Sequence, residues 1–132
     1  AIAEILYGKV NPSAKLAMTM PRGVGQIQMN YNHKRSAYFH PVVCGSSEPL
    51  YPFGFGLSYT TYKYSEITLD ATSISKGGSV KATVTITNTG TRDGVEIAQM
   101  YIHDKVSSAT RPVKELKDFT RVALKAGESK DV

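Results

Sequence analysis

Alternating apolar and polar residues are clearest in the C-terminal half of the chain. There, apolar side chains alternate with lysine and threonine, which predicts a strand with one buried face at Val80, Ala82, Val84 and Ile86. Further strands are predicted over residues 64–69, 95–102 and 115–123, and a change of phase within 95–102 indicates burial on both faces or a bulge. The inward side chains of the last strand are expected to be Leu116, Phe119, Val122 and Leu124. This spacing of strands is typical of a β-sandwich.

The first residues follow a helical period instead. A helix is predicted from the spacing of Ile2, Ile5 and Leu6, and Gly8 stands where the glycine that follows a helix belongs. After a turn, apolar residues alternate again up to Pro21, which predicts a strand with one buried face at Leu16, Met18 and Met20. Helix, turn and strand together predict the end of an α/β sheet domain over residues 1–22.

Residues 23–60 show little periodicity and are rich in glycine, proline and aromatic residues. A structureless loop of this length is uncommon unless it packs through its own side chains. We therefore predict an aromatic connector over 23–60, held by Tyr31, Tyr38, Phe39, Tyr51, Phe53, Phe55 and Tyr59. The remainder, 61–132, is expected to be a β-sandwich that is incomplete at its C-terminal end. The predicted fold class is thus mainly β, and both ends are expected to lie inside a larger protein.

Composition and charge exclude several functions. With 132 residues, 41% of them hydrophobic and 20% charged, the chain has the composition of a globular protein, and it contains no apolar run of the ~18 residues that a membrane span needs. The net charge of +5 comes from lysines and arginines that are interleaved with acidic residues, so we predict neither a nucleic-acid nor a membrane partner. A single cysteine, Cys44, excludes an internal disulfide and a cysteine-based zinc site. No metal or cofactor is expected, because no pair of histidines among His33, His40 and His103 has a ligand spacing.

Several linked motifs resemble family 3 glycoside hydrolases, the β-glucosidases and β-xylosidases. Motifs similar to the end of that family's second, α/β sandwich domain are Asn11–Leu16, Thr19–Arg22, Val24–Ile27 and Tyr31–Lys34. Residues Pro49–Thr60 resemble its most recognisable C-terminal stretch, and its fibronectin-III-like domain is similar to Gly94–Ile102 and Arg111–Lys117. The resemblance covers essentially the whole chain, although Ala14, Ala17 and the loop Arg35–Glu48 depart from the family pattern.

The resemblance implies an activity that this chain does not carry by itself. Members of the family are retaining, exo-acting β-glycosidases, so the intact protein is expected to hydrolyse a β-linked glucoside or xyloside, with β-glucosidase the favoured assignment. The resemblance places the nucleophile and the acid/base upstream of Ala1. No acidic residue here matches their motifs, so no catalytic residue is assigned and the chain alone is expected to be inactive. Family habit implies a periplasmic or secreted protein.

Asn32 and His33 are the two candidate substrate-binding residues, because amide and imidazole groups hydrogen-bond sugar hydroxyls beside an aromatic side chain such as Tyr31. The alternative, which we favour, is that they satisfy backbone groups and fix the connector. The pairs Glu115/Asp118 and Asp93/Glu96 are interpreted as surface charge rather than as acid/base partners. The aromatic residues between Tyr51 and Tyr59 are expected to pack in a core or interface rather than to form a carbohydrate platform.

A second class of function fits the same residues. The chain is alternatively a non-catalytic carbohydrate- or protein-binding β-sandwich module, although such a module has no need of the helix at its N-terminal end. In either case an incomplete sandwich leaves a strand edge unpaired, so dimerisation through this edge is expected.

Overall fold

The computed structural model describes residues 2–26, 29–35 and 46–132. One short helix, α1, spans Ile2–Leu6, and a single 3₁₀ turn spans Val24–Gln26. The strands are β1 Tyr62–Tyr64, β2 Thr68–Leu69, β3 Ala82–Thr83, β4 Thr85–Asn88, β5 Gly94–Ile102, β6 Glu115–Leu124 and β7 Ser129–Asp131. They form sheets in the orders β1-β4-β7, β2-β3 and β5-β6. The predicted mainly β fold class is confirmed.

The chain divides into two units. Unit 1 contains Ala1–Ser13, Ser58–Ala98 and Arg121–Val132, and unit 2 contains Ala14–Leu57 and Gln99–Thr120. Strands β5 and β6 therefore contribute residues to both units. The described N-terminal helix ends as predicted, because Gly8 follows it with a φ of 71°, a conformation that glycine adopts without steric cost.

Unit 1 contains a small apolar core. Its buried members are Ile86, Ala98, Val122 and Leu124, with Tyr62 and Val84 packed against them. Ile86 of β4 lies between Tyr64 of β1 and Lys130 of β7 in an antiparallel register. The predicted alternation is therefore confirmed at Val84 and Ile86, whereas Val80 is 41% exposed and Ala82 is exposed as well. The difference arises because Ala82 belongs to β3, which pairs with β2 in a separate sheet.

The long strands show where alternation predicts burial and where it does not. In β5 the buried residues are Glu96 and Ala98, while farther along Gln99 and Tyr101 are half-buried and Met100 and Ile102 exposed, so the predicted change of phase is confirmed. In β6 Val122 and Leu124 are buried as predicted, but Phe119 is 63% exposed, so its predicted inward position is wrong. Successive strand residues point to opposite faces, and an odd-numbered residue shares no face with 122 and 124 unless the strand is bulged.

The predicted strand before Pro21 and the predicted single strand over 64–69 are also corrected. Leu16 and Met20 hydrogen-bond the backbone of the segment 51–55, with Leu16 N to Phe55 O at 2.7 Å and Met20 N to Tyr51 O at 2.8 Å. The segment between them forms no continuous ladder, and Met18 is 66% exposed. Residues 64–69 form the end of β1 and all of β2, which pair with different strands, because the chain changes sheet between them.

Unit 2 is held by aromatic side chains. Tyr31 stacks on Phe53 with ring centroids 4.1 Å apart and meets Tyr101 edge-on at 6.2 Å. Tyr51 stacks on Phe55 at 5.0 Å. The packing role predicted for the connector aromatics is therefore confirmed at these four connector residues, while Tyr38 and Phe39 lie outside the described residues.

Candidate functional site

The first candidate site residue, His33, is tied to the protein framework. Its carbonyl oxygen accepts a hydrogen bond from Val113 N at 2.9 Å, and the next residue, Lys34, bridges to Pro112. Its ring nitrogen Nδ1 lies 3.0 Å from the carbonyl oxygen of Lys34. The backbone of His33 therefore ties this loop to the segment 111–114, and its ring contacts the carbonyl group of the adjacent residue.

The second candidate, Asn32, lies in a different environment. Its side chain is exposed and lines an open cavity of about 590 Å³ within unit 2. This volume is in the range of pockets that bind small molecules, about 300–1,000 Å³. The sequence does not distinguish Asn32 from His33 as a candidate. In the structure, Asn32 lines the cavity and His33 does not.

The cavity wall contains polar residues that the sequence analysis missed. Asn30 lines it beside Asn32, and so does Gln26, which is only 4% exposed. Gln26 Oε1 accepts a hydrogen bond from Arg22 N at 2.7 Å, and Gln26 Nε2 donates to Ser46 O at 2.7 Å. These bonds fix the wall. The sequence offers no signal for either residue, because both lie in a segment without periodicity, and Asn30 directly precedes a turn at residues 31 and 32.

The rest of the lining is apolar or aromatic except for Thr19, whose buried hydroxyl has no hydrogen-bond partner among the described residues. Its larger side chains are Met18, Val24, Met29, Tyr31 and Phe53. Among the described residues that form the wall there is no aspartate, glutamate, lysine, arginine or histidine. The described lining therefore combines amide groups, the Thr19 hydroxyl and apolar surface, without a formal charge.

The candidate carboxylate pairs do not form acid/base sites. Glu115 pairs with Lys117 and with Arg111, whose Nη2 lies 3.2 Å from Glu115 Oε1. The hydrogen bond from Lys117, followed by the charge of Arg111, lowers the pKa of Glu115, which suits a permanent anion rather than a proton donor. Asp118 instead accepts a hydrogen bond from Phe119 N at 2.8 Å.

Asp93 and Glu96 are also used separately. Asp93 Oδ1 accepts a hydrogen bond from Ala126 N at 3.0 Å. Glu96 is buried and accepts a hydrogen bond from the Tyr64 hydroxyl at 2.9 Å. Burial, reinforced by this bond to Glu96, raises the pKa of Tyr64, so the phenol keeps its proton further into the alkaline range than an exposed tyrosine does. Both carboxylates thus have structural partners in unit 1.

Neither a metal cluster nor a membrane-spanning helix occurs in the described part of the chain. Within 2–26, 29–35 and 46–132, no cluster of three or more histidine, cysteine, aspartate or glutamate side chains is arranged to hold a metal ion. His40 and Cys44 lie outside the described residues. Among the helices in the described ranges, none has the length and apolar character that crossing a bilayer requires.

The aromatic stretch 51–59 is built for close packing. Gly54 has a φ of 79°, and its carbonyl oxygen accepts a hydrogen bond from Gln99 Nε2 at 3.2 Å. A Cβ at Gly54 would overlap the Gln99 side chain, and the left-handed backbone at this position is one that glycine adopts without steric cost. Tyr59 lies in unit 1, where its hydroxyl donates to Ile5 O at 2.6 Å and Arg92 lies over its ring at 5.5 Å. These contacts favour packing over a carbohydrate platform.

Comparison with known proteins connects this geometry to a family. The model of the glycosyl hydrolase family 3 C-terminal domain matches residues 1–59, and that of the fibronectin type III-like domain matches residues 96–132. A periplasmic beta-glucosidase of Salmonella typhimurium is 44% identical over 100% of the chain, which covers 19% of that protein. A beta-xylosidase of Formosa agariphila is also 44% identical, with the same coverage of both chains.

Solved structures give the same result. A β-glucosidase from Erythrobacter marinus superposes with a TM-score of 0.94 and 43% identity, over 99% of this chain and 17% of that one. A β-glucosidase from Listeria innocua in complex with glucose superposes with a TM-score of 0.87 and 40% identity, over 99% of this chain and 20% of that one. The chain therefore spans about a fifth of the length of the relatives it matches. It belongs to glycosyl hydrolase family 3 and corresponds to the C-terminal region of that family.

Proposed function

We propose that the protein to which this chain belongs is a retaining, exo-acting β-glycosidase, most closely a β-glucosidase, whose substrate is a β-linked glucoside or xyloside. The observation that carries the proposal is the 44% identity, over the full chain, to proteins named beta-glucosidase and beta-xylosidase. Within it, residues 1–22, 23–60 and 61–132 form the end of an α/β sandwich domain, an aromatic connector and a fibronectin-III-like sandwich.

In this proposal the chain is a structural, accessory part of the enzyme. A retaining glycosidase needs two carboxyl groups about 5–5.5 Å apart, one of which stays protonated until it donates to the leaving group. The carboxylates of the two candidate pairs are engaged with other partners, in ion pairs at Glu115 and in hydrogen bonds at Asp93 and Glu96. Both catalytic carboxyl groups would therefore come from outside residues 1–132.

Location and assembly complete the proposal. The Salmonella relative is named as periplasmic, which supports a periplasmic or secreted protein here. Strands β5 and β6 have each other as their one neighbour among the described strands, so each leaves an edge for pairing with a second copy. Sedimentation velocity over a hundredfold range of concentration tests this dimer, and a constant monomer would contradict it.

A segment exchange tests the enzymatic proposal. This chain replaces the matching segment of the Salmonella periplasmic β-glucosidase, and hydrolysis of a nitrophenyl β-glucoside is measured for the chimera and for the chain alone. We expect the chimera to turn over the substrate and the isolated chain to show none. Turnover that co-purifies with the isolated chain, or a folded chimera without activity, would contradict the proposal.

The alternative is a non-catalytic carbohydrate-binding module, and the open cavity of unit 2 is the observation that favours it. A module binds sugar without supporting hydrolysis in the chimera. The two functions therefore differ in the exchange experiment, whatever the chain binds by itself.

A further inference from the structure

We infer that the cavity of unit 2 binds the ring of an uncharged sugar, with the side chains of Asn30 and Asn32 as its hydrogen-bonding groups. The choice of a β-glucoside as the sugar rests on the proposed function. The binding itself rests on three properties of the cavity: two unused amides, a fixed aromatic wall and the absence of formal charge from its described lining.

The two amides differ from the other asparagines of the chain. Asn11 Oδ1 accepts hydrogen bonds from Ser58 Oγ at 2.9 Å and from Tyr59 N at 2.8 Å. Asn88 is fully buried and satisfied by protein groups. Asn30 and Asn32 are exposed at the cavity, and neither side chain has a hydrogen-bond partner within residues 2–26, 29–35 and 46–132. Each carboxamide offers two donors and an acceptor, the set that sugar hydroxyls require.

The aromatic wall is fixed before any ligand binds. Tyr31 and Phe53 both line the cavity and stack at 4.1 Å with an interplanar angle of 14°. The edge contact with Tyr101 and the hydrogen bond from Leu116 N to the Tyr31 hydroxyl, at 3.4 Å, also hold the tyrosine in place. A rigid wall lowers the entropy lost on binding. The C–H groups of a pyranose ring can pack on this apolar surface.

The uncharged lining selects the class of ligand. A charged ligand would lose hydration in the cavity without gaining a counter-charge. A purely apolar ligand would cover Asn30 and Asn32 and leave their amides without hydrogen bonds, which is costly. A neutral ligand with hydroxyl groups on an apolar ring avoids both costs, and this description fits a glucoside.

Titration of the ¹⁵N-labelled chain tests the inference by NMR. The ligands are methyl β-D-glucopyranoside and cellobiose, with methyl β-D-glucuronide as the charged control. We expect saturable shifts of the Asn30 and Asn32 side-chain amides and of the Val24 and Phe53 backbone, with a Kd of about 1–20 mM. The glucuronide should bind at least about fivefold more weakly, because its charge is unpaired in the cavity.

Variants assign the binding to the amides. Asn30→Ala and Asn32→Ala should each raise the Kd about fivefold, the loss expected for one or two hydrogen bonds. Thr72→Ala, at an exposed position of unit 1, should leave the Kd unchanged. All three positions are exposed, so the folded spectrum should persist in every variant.

Three outcomes would overturn the inference: no saturable shift up to about 50 mM ligand, an unchanged Kd in both asparagine variants, or equal binding of the glucuronide. Exclusive binding of an apolar dye would overturn it too and would identify the cavity as an apolar docking surface. Because the segment exchange measures hydrolysis and the titration measures binding, either proposal can fail without the other.

Discussion

Unit 1 and unit 2 are each stabilised internally by different kinds of contact. In unit 1 the core residues Ile86 and Leu124 are 0% and 2% exposed, and the polar Asn88 beside them is also 0% exposed. In unit 2 the buried residues among those described are Met29 and Gln26, and most of its order comes from stacked aromatic rings and backbone bonds between irregular segments. Unit 1 is therefore arranged for stability, whereas unit 2 leaves apolar and amide groups on a surface.

The difference follows from the sequence of each unit. The strands of unit 1 place every second side chain on one face, so a few residues close a core. Unit 2 contains the glycine- and proline-rich segment, which cannot form continuous ladders and exposes side chains such as Met18, at 66%, and Leu57, at 72%. Ligand-binding segments generally belong to the parts of a fold that have low local stability.

The largest effect is expected at Asn88. Its Oδ1 accepts hydrogen bonds from Thr60 Oγ1 at 2.6 Å and Gly90 N at 3.1 Å, and its Nδ2 donates to Arg92 O at 2.7 Å. Asn88→Ala leaves these groups without partners in a buried site and should lower the free energy of unfolding by about 4 kcal/mol. Urea unfolding followed by circular dichroism measures the change.

The matched control for Asn88 is its exposed neighbour Thr89, whose hydroxyl pairs with that of Thr61 at 2.8 Å. Thr89→Ala should cost less than about 1 kcal/mol, because water replaces an exposed hydrogen bond. Equal losses for the two variants would show that the buried amide does not organise unit 1.

The next largest effect is expected at Gly94, at the start of β5. A Cβ there would overlap the Tyr62 hydroxyl and lie 2.8 Å from Asn11 Nδ2. The tyrosine ring is held against the core and cannot move cheaply, so Gly94→Ala should cost about 2 kcal/mol. Thermal unfolding measures the loss.

Gly77→Ala is the control that separates overlap from backbone strain. Gly77 has a φ of 83° and no atom within 4 Å of its added Cβ, so alanine there should cost about 1 kcal/mol through its left-handed backbone alone. A Gly94→Ala variant as stable as the parent chain would contradict the close packing described for unit 1.

A smaller effect, confined to unit 2, is expected at Tyr31. Tyr31→Leu removes the stack with Phe53 and should lower the free energy of unfolding by about 1.5 kcal/mol. Relative to the parent chain, amide exchange should accelerate more in unit 2 than in unit 1. Tyr7→Leu is its control, since Tyr7 is 86% exposed. If the loss at Tyr31 accelerated exchange equally in both units, the division into two differently stabilised units would be wrong.

The smallest effect is expected from acid. Hydrogen bonding by Lys125 N, then by Lys130, lowers the pKa of Glu128 in unit 1, and hydrogen bonding by Lys117 lowers that of Glu115 in unit 2. A lowered native pKa stabilises the fold above the ordinary glutamate pKa of about 4.3, and this contribution disappears as the pH falls through the native value.

The double variant Glu115→Gln/Glu128→Gln should therefore lose less stability than the parent between about pH 6 and pH 3. Both side chains are at the surface, so 1 M NaCl should reduce the difference between the two proteins. Thermal unfolding of both proteins at each pH measures this difference. If their stabilities fell in parallel as the pH is lowered, the contribution of these ion pairs would be contradicted.

The sequence was sufficient for part of this fold. The positions of Ile86, Val122 and Leu124 follow from the period of two, and the glycine after α1 follows from helix geometry. The inward position predicted for Phe119 is wrong because it follows from hydrophobicity alone, whereas the period of two places this residue on the face opposite to Val122 and Leu124. The burial of Asn88 was missed, since an asparagine before a glycine-containing turn looks the same whether its amide faces solvent or organises loops distant in sequence.

The candidate site could be predicted only by residue type. Asn32 was identified because amides bind hydroxyl groups, but its difference from His33 depends on the backbone bond between His33 and Val113, eighty residues apart in sequence. Asn30 and the wall at Gln26 were missed for the same reason. Pairings between irregular segments have no period, so the sequence contains no pattern from which to locate them.

Hydrogen–deuterium exchange of the intact chain tests the central contrast most directly. Amides of β4 and of the unit 1 ends of β5 and β6 should be the most protected, with exchange at least a hundredfold slower than for the hydrogen-bonded amides of Leu16, Met20 and Gly54 in unit 2, a difference of about 2.7 kcal/mol. Equal protection of the two sets, or slower exchange in unit 2, would contradict the account.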